Sequence, residues 1–273
     1  MSDNEAQREF WNGPVAETWI ARATPFERSF SELTTALMAF AAPATGMNVL
    51  DIGCGAGFTT AVLAKSVAPG HVVGLDISQP FIAAARAQYG ALASFLEADA
   101  TDYPFTPDYD LAVSRLGVMF FADPVVSFAN IRRALKPGGR LAFLCWCARG
   151  DVLALLEPYE AARDLLPPDN PTPENAPGPF GLGDGERTKR LLAEAGWHGI
   201  HIERATPRLL LGATLEEAID QAMTMGPLSR LVRDCDEATK AKVRARIAPV
   251  LEKYRGPDGI APPSAVWLVG AKA

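Results

Sequence analysis

The segment Asp51-Ile52-Gly53-Cys54-Gly55-Ala56-Gly57-Phe58 places one carboxylate and three glycines at alternate positions. The apolar run Asn48-Val49-Leu50 before it reads as a buried strand, and Phe58 to Val67 after it has helical spacing. A strand, a glycine turn and a helix in that order bring backbone N–H groups and a positive helix end against a ligand's acidic group. Glycines let the backbone touch that ligand, because no Cβ stands in the way. The dinucleotide fingerprint needs its third glycine three positions after the second. Here Gly57 follows Gly55 by two, and Phe58 holds the fingerprint's third position.

Further acids fall at the ends of the next apolar runs. His71-Val72-Val73-Gly74-Leu75-Asp76 ends in a carboxylate roughly 20 residues past the turn, where a nucleotide fold sets its ribose-binding acid. Ser78, with Pro80 behind it, is the better helix N-cap, which leaves Asp76 and the adjoining Ile77 for a ligand. Ala93–Glu97 runs into Ala98-Asp99-Ala100-Thr101, where Asp99 has only acceptors to offer an amine; an Asx-turn is its bland alternative. Tyr109–Ser114 leads into Ser114-Arg115-Leu116-Gly117-Val118-Met119-Phe120-Phe121, at a strand end that faces the ligand crevice of an open α/β sheet. Asp123-Pro124 starts a helix, Lys136-Pro137-Gly138-Gly139 stops it, and Arg140–Cys147 is a fifth strand.

In order and spacing, residues 45–147 resemble the class I S-adenosylmethionine (SAM)-dependent methyltransferases, in particular the small-molecule branch similar to ubiquinone and menaquinone biosynthesis enzymes. The Asp-x-Gly-x-Gly-x-Gly turn is similar to that family's motif I. The resemblance implies an α/β, Rossmann-like fold: a seven-stranded, mostly parallel sheet with helices on both faces, an N-terminal helical cap, and helical inserts after strands five and six. It implies SAM as cofactor, held by Asp51, Gly53, Cys54, Gly55, Gly57, Phe58, Asp76, Ile77, Asp99 (to the adenine amine), Ala100, Ser114, Arg115 (to the cofactor carboxylate) and Trp19. Trp11, Val118, Met119, Phe120 and Trp146 are the expected acceptor contacts.

Other elements must close this site. Glu5–Trp11, Val15–Ala23 and a run from Pro25 through Ala42 read as helices, and residues 1–44 are expected to form the cap. In the third of these helices Phe26, Phe30, Leu33, Leu37 and Phe40 make one apolar face. Residues 45–273 then form the core, with inserts at about 148–183 and 212–262 as the acceptor lid. The first insert combines a helix over Asp151–Leu166 with a proline-rich stretch from Pro167 to Pro179 that includes Asn170 and Asn175. Asp184 caps a helix through Ala195, Ile200–Arg204 is a sixth strand, Thr214–Lys253 is helical with a stop at Gly226-Pro227, and Val266–Gly270 is the last strand.

Composition narrows the partners. A net charge of −6 and pI near 5.2 give no overall positive field for phosphate backbones, which argues against nucleic acid as a partner. The start of the chain lacks the charge and apolar pattern of a signal peptide, and no apolar run approaches the ~18 residues of a membrane span. Four cysteines without a Cys-x-x-Cys pair and three histidines without ligand spacing point to a reduced, cytoplasmic, metal-free protein. The leading expectation is methyl transfer to a small organic molecule through carbon, nitrogen or oxygen. The alternatives are an NAD(P)-dependent oxidoreductase, disfavoured by the glycine spacing and the lack of a Tyr-x-x-x-Lys pair, and a non-catalytic SAM-binding or scaffold protein. No residue stands out as a general base, since the three histidines fall at the edge of the sheet away from the crevice.

Overall fold

The computed structural model describes residues 4–169, 173 and 175–273; Asn170 of the proline-rich stretch and the first three residues of the expected cap lie outside them. In chain order the helices are α1 (Glu5–Asn12), α2 (Pro14–Ala21), α3 (Ala23–Ser29), α4 (Ser31–Ala41), α5 (Phe58–Val67), α6 (Gln79–Tyr89), α7 (Pro124–Arg133), α8 (Leu153–Ala162), α9 (Gly185–Glu194), α10 (Leu215–Ala222), α11 (Gly226–Val232) and α12 (Glu237–Glu252). The strands are β1 (Asn48–Ile52), β2 (His71–Asp76), β3 (Ser94–Glu97), β4 (Tyr109–Arg115), β5 (Leu135–Trp146), β6 (His198–Ala205), the short pair β7 (Arg255–Gly256) and β8 (Gly259–Ile260), and β9 (Val266–Lys272).

Seven strands form one sheet in the order β3-β2-β1-β4-β5-β9-β6, parallel except for β9, which runs antiparallel to both neighbours. This is the expected sheet. Helices cover both faces. Phe128 of α7 stacks on Phe143, whereas Phe30, at the head of α4, meets Trp146. Residues 143 and 146 of one strand point to opposite faces, so α7 and α4 lie on opposite sides.

Local chemistry fixes the starts of the helices. The Ser78 hydroxyl accepts from Phe81 N at the head of α6, and Asp123, Asp184, Thr214 and Asp236 cap α7, α9, α10 and α12 in the same way. Three expected elements differ. The run from Pro25 to Ala42 breaks at Phe30, which separates α3 from α4. The span Thr214–Lys253 divides into α10, α11 and α12. Lys136–Gly139 does not simply end α7 but enters β5, where the register against β4 shifts between Tyr109 and Leu111. The helices of the two inserts pack on one another, α8 against α11 and α12 and α10 against α12, so they build one helical layer beyond the strand ends.

The chain crosses from β3 to β4, so the strand order reverses between β1 and β4; in such sheets the ligand crevice opens at that switch point. Gly53, at φ +66°, sits there so close to Gly117 that a Cβ would lie 2.8 Å from the Gly117 Cα. Only glycine lets the turns after β1 and β4 meet.

Candidate functional site

A cavity of about 1330 Å3 lies over this switch point, between the sheet, the N-terminal helices and the insert layer. Its lining brings together Asp51, Gly53, Cys54, Gly55, Asp76, Ile77, Asp99, Ala100 and Arg115, and with them Trp11, Trp19, Met119, Phe120 and Trp146. These residues come from segments up to 135 positions apart, collected at the C-terminal ends of β1, β2, β3, β4 and β5 and on α1 and α2.

The carboxylates differ in their surroundings. Asp76 is not left free by Ser78: its Oδ2 accepts the Gly55 amide at 2.8 Å and its Oδ1 accepts the Ser78 amide at 2.9 Å. It therefore clamps the glycine turn while lining the cavity. Burial pushes its carboxyl up to about 6, against the pull of those amides. Asp51 accepts the Thr60 hydroxyl through Oδ2 at 2.6 Å, and its buried Oδ1 has no hydrogen-bond partner. Burial pushes Asp51 up to about 7, opposed by the Thr60 bond and by Arg115. Asp99 accepts the Thr101 amide at 2.9 Å, the Asx-turn geometry, and also both contacts of the Asn4 carboxamide, at 2.9 and 3.0 Å. An amide NH2 thus already donates to the oxygens expected to read an adenine amine.

Arg115 departs furthest from expectation. Instead of an open guanidinium, it forms a two-pronged pair with Glu27 of α3, both contacts at 2.7 Å, and donates to Thr34 at 2.7 Å. The rings of Phe30 and Phe58 flank it at 5.6 and 5.7 Å. Phe58 thus serves as a floor for Arg115 and does not itself line the cavity. Gly57, Ser114 and Val118 also lie outside the lining. A Cβ on Gly57 would strike the Phe95 ring at 2.8 Å, so this glycine is reserved for packing. Ser114 donates to the Ile52 carbonyl at 2.7 Å and ties β4 to β1; Val118 is fully buried core.

The two tryptophans exchange places relative to expectation. Trp11 sits by the acids: its carbonyl accepts the Ser78 hydroxyl at 2.7 Å and its ring meets Phe81 and Phe120. Trp19 stacks on Phe26 at 4.1 Å, and the rings of Phe26, Phe30 and Trp146 extend that wall to β5. Sequence reasoning missed Asn4, Glu27 and the basic side chains Arg149, Arg230 and Arg233, which also line the cavity. In the sequence these are isolated polar residues of helices and turns, and only packing turns them inward. Among the described residues none of the three histidines lines it and no group of metal ligands forms.

The cavity fits an adenosyl ligand on two observations. A Cβ on Gly55 would meet no protein atom within 4 Å, so the turn leaves open space where a ligand backbone can approach. The orphaned Asp51 oxygen lacks the donor that a buried acceptor requires.

The strand order, the glycine turn and the acids at the C-terminal ends of β1, β2 and β3 define the class I SAM-dependent methyltransferase fold, with SAM as its cofactor. Residues 50–143 match the family model described as a methyltransferase domain. It is 36% identical over 103 residues to a demethylmenaquinone methyltransferase of Clavibacter sepedonicus, covering 37% of this chain and 41% of that protein. It is 33% identical over 156 residues to the O-methyltransferase rstn1 of Aspergillus nomiae, covering 53% and 66%. The solved structure of Haemonchus contortus phosphoethanolamine N-methyltransferase 2 in complex with SAM covers 100% of this chain, which covers 60% of it, with TM-score 0.59 at 18% identity; that likeness concerns the fold. The chain spans about half the length of the curated relatives it matches.

Proposed function

We propose that this protein transfers the methyl group of SAM to a small organic acceptor held in the chamber beside the glycine turn. The observation that carries the reading is the continuity of one cavity. Its inner end has Gly53, Gly55, Asp76 and Asp99, and its outer end is walled by aromatic, methionine and leucine side chains. Bound SAM supplies a methyl already activated by a positive sulfonium, so proximity and alignment do most of the work.

The residues divide that work. Gly53 and Gly55 let the backbone approach the cofactor, Asp76 offers its remaining lone pairs to the ribose hydroxyls, and Asp99 with the Ala100 amide meets the adenine edge. The Asp51 oxygen and the Glu27–Arg115 pair face the cofactor's amino-acid end. Trp11 covers the cofactor from α1, while Trp19 and Trp146 wall the acceptor and exclude water from a cation that loses its charge. Glu27 is committed to Arg115, so no side chain is assigned as a base. An acceptor that needs no prior deprotonation fits such a site.

Calorimetric titration with SAM, S-adenosylhomocysteine and NAD(H) tests the reading. Wild-type protein is expected to bind the two adenosyl ligands in the micromolar range and not NAD(H), and Asp76→Ala to weaken that binding by at least tenfold. Binding of NAD(H) in their place would favour the oxidoreductase. Adenosyl binding with no methyl transfer to any of a broad acceptor panel would favour a scaffold.

A further inference from the structure

The cavity separates its charges. The acids Asp51, Asp76, Asp99 and Glu27 cluster at the strand ends, where the cofactor is placed. Arg115, which also lies at that end, is neutralised by its pair with Glu27, and the other basic lining residues, Arg149, Arg230, Arg233 and Lys240, come from the inserts at the other end. One acid, Asp184, also lines that end, but its carboxylate caps α9 by accepting the Arg187 amide at 3.0 Å. Between the two ends the wall is apolar, with Trp146, Leu155 and Met225 prominent.

The basic end is held in place. Asp169 accepts from Arg149 at 3.2 Å, from the Tyr159 hydroxyl at 3.1 Å, and from Arg230. The Arg149 guanidinium lies 4.7 Å over the Tyr159 ring. Lys240 is paired with Glu237. Arg233 enters no ion pair among the described residues, so three guanidiniums face the carboxylates of Asp169 and Asp184 and leave an excess of one positive charge at the chamber mouth. That excess runs against a net charge of −6 for the whole chain. At about 1330 Å3 the cavity also exceeds the ~300–1,000 Å3 of an ordinary single-ligand pocket, which leaves an acceptor-sized volume beyond the cofactor.

We propose that the methyl acceptor is an anionic amphiphile: an apolar, ring-sized body bearing a carboxylate or sulfonate. The body packs between Trp146, Leu155 and Met225. The anion meets Arg233, Arg230 and Arg149, whose planar donors match the paired oxygens of such groups. Flexible methionines let the wall fit bodies of different outline. This inference rests on the methyltransferase reading, since it places the acceptor beside the cofactor.

Fluorescence titration of protein saturated with S-adenosylhomocysteine tests it, with 1-anilinonaphthalene-8-sulfonate and N-phenyl-1-naphthylamine as probes. The two share one aromatic body and differ by the sulfonate. The sulfonate probe is expected to bind about tenfold tighter or better, a gap that narrows with added salt. Arg233→Gln, alone and with Arg230→Gln, is expected to remove most of that gap and leave the neutral probe unaffected. The single variant breaks no ion pair and keeps the test valid should the double variant unfold. Equal or weaker binding of the sulfonate, a gap that survives both variants, or no binding of either probe would overturn the inference. Calorimetry with S-adenosylhomocysteine on the same wild-type sample separates the two levels. Failure to bind it strikes the methyltransferase reading, whereas intact binding without an anion preference strikes this inference alone.

Discussion

Asp51 shows how a site residue can cost stability in the empty protein. Its carboxyl is fully buried with one oxygen unpartnered, and burial raises it to about 7, against ~3.9 in an unfolded chain. Between those values the folded state holds a proton that the unfolded chain has released. Stability from this group therefore falls as pH rises from about 4 to 7 and then levels off. Asp51→Asn keeps an acceptor for Thr60 and removes the titration. At pH 8 the variant is expected to be more stable than wild type by on the order of 2–4 kcal/mol, with the two converging near pH 4. Urea unfolding at both pH values checks this; a constant difference across pH would mean that Asp51 does not carry the burden. The same variant should bind S-adenosylhomocysteine more weakly, because its amide cannot offer a charge to the ligand's ammonium.

At the scale of elements, α1 is the piece most loosely tied to the rest. None of its residues is buried, and its attachments are few: Asn4 to Asp99, Asn12 to the Gln79 amide at 2.9 Å, the Trp11 carbonyl to Ser78, and the Trp11 ring to Phe81 and Phe120. A helix held in this way opens locally far below the free energy of global unfolding. Amides of residues 5–12 are expected to exchange with deuterium quickly in the free protein and at least tenfold more slowly with S-adenosylhomocysteine bound, as measured by mass spectrometry. Unchanged exchange would remove α1 from the cofactor lid. The break between α3 and α4 matters at this scale too, because it turns Glu27 toward Arg115 while Phe30 joins the aromatic wall.

For the whole molecule, the inserts and the N-terminal helices are not appendages. One contiguous cluster of buried side chains runs from Phe26 and Leu33 of the cap through Leu50, Val113 and Phe143 of the sheet to Leu155, Leu228 and Ile247 of the insert layer. Continuous packing couples these layers, since removing one exposes apolar surface on its neighbours. Heating is therefore expected to give a single calorimetric transition, its enthalpy matching the van't Hoff value. Two resolved peaks would show that the insert layer unfolds by itself. No helix among the described residues is long and apolar enough to cross a membrane.

The amino-acid sequence by itself determined the local framework: the apolar runs of the central strands, the glycine turn, the Ser, Asp and Thr caps, and the acids at the C-terminal ends of β1, β2 and β3. Those features are legible because each depends on near neighbours in the chain, through strand periodicity, backbone freedom and capping bonds. The motif carried enough spacing to separate this turn from the dinucleotide fingerprint. Only the tertiary structure decided what each side chain meets across the cavity. Arg115 found Glu27 at 88 positions' separation, Asn4 found Asp99 at 95, and Arg230 found Asp169 at 61. A charge in a helix or turn looks the same in sequence whether it faces water or a cavity, and that choice is made by how the helical layers pack.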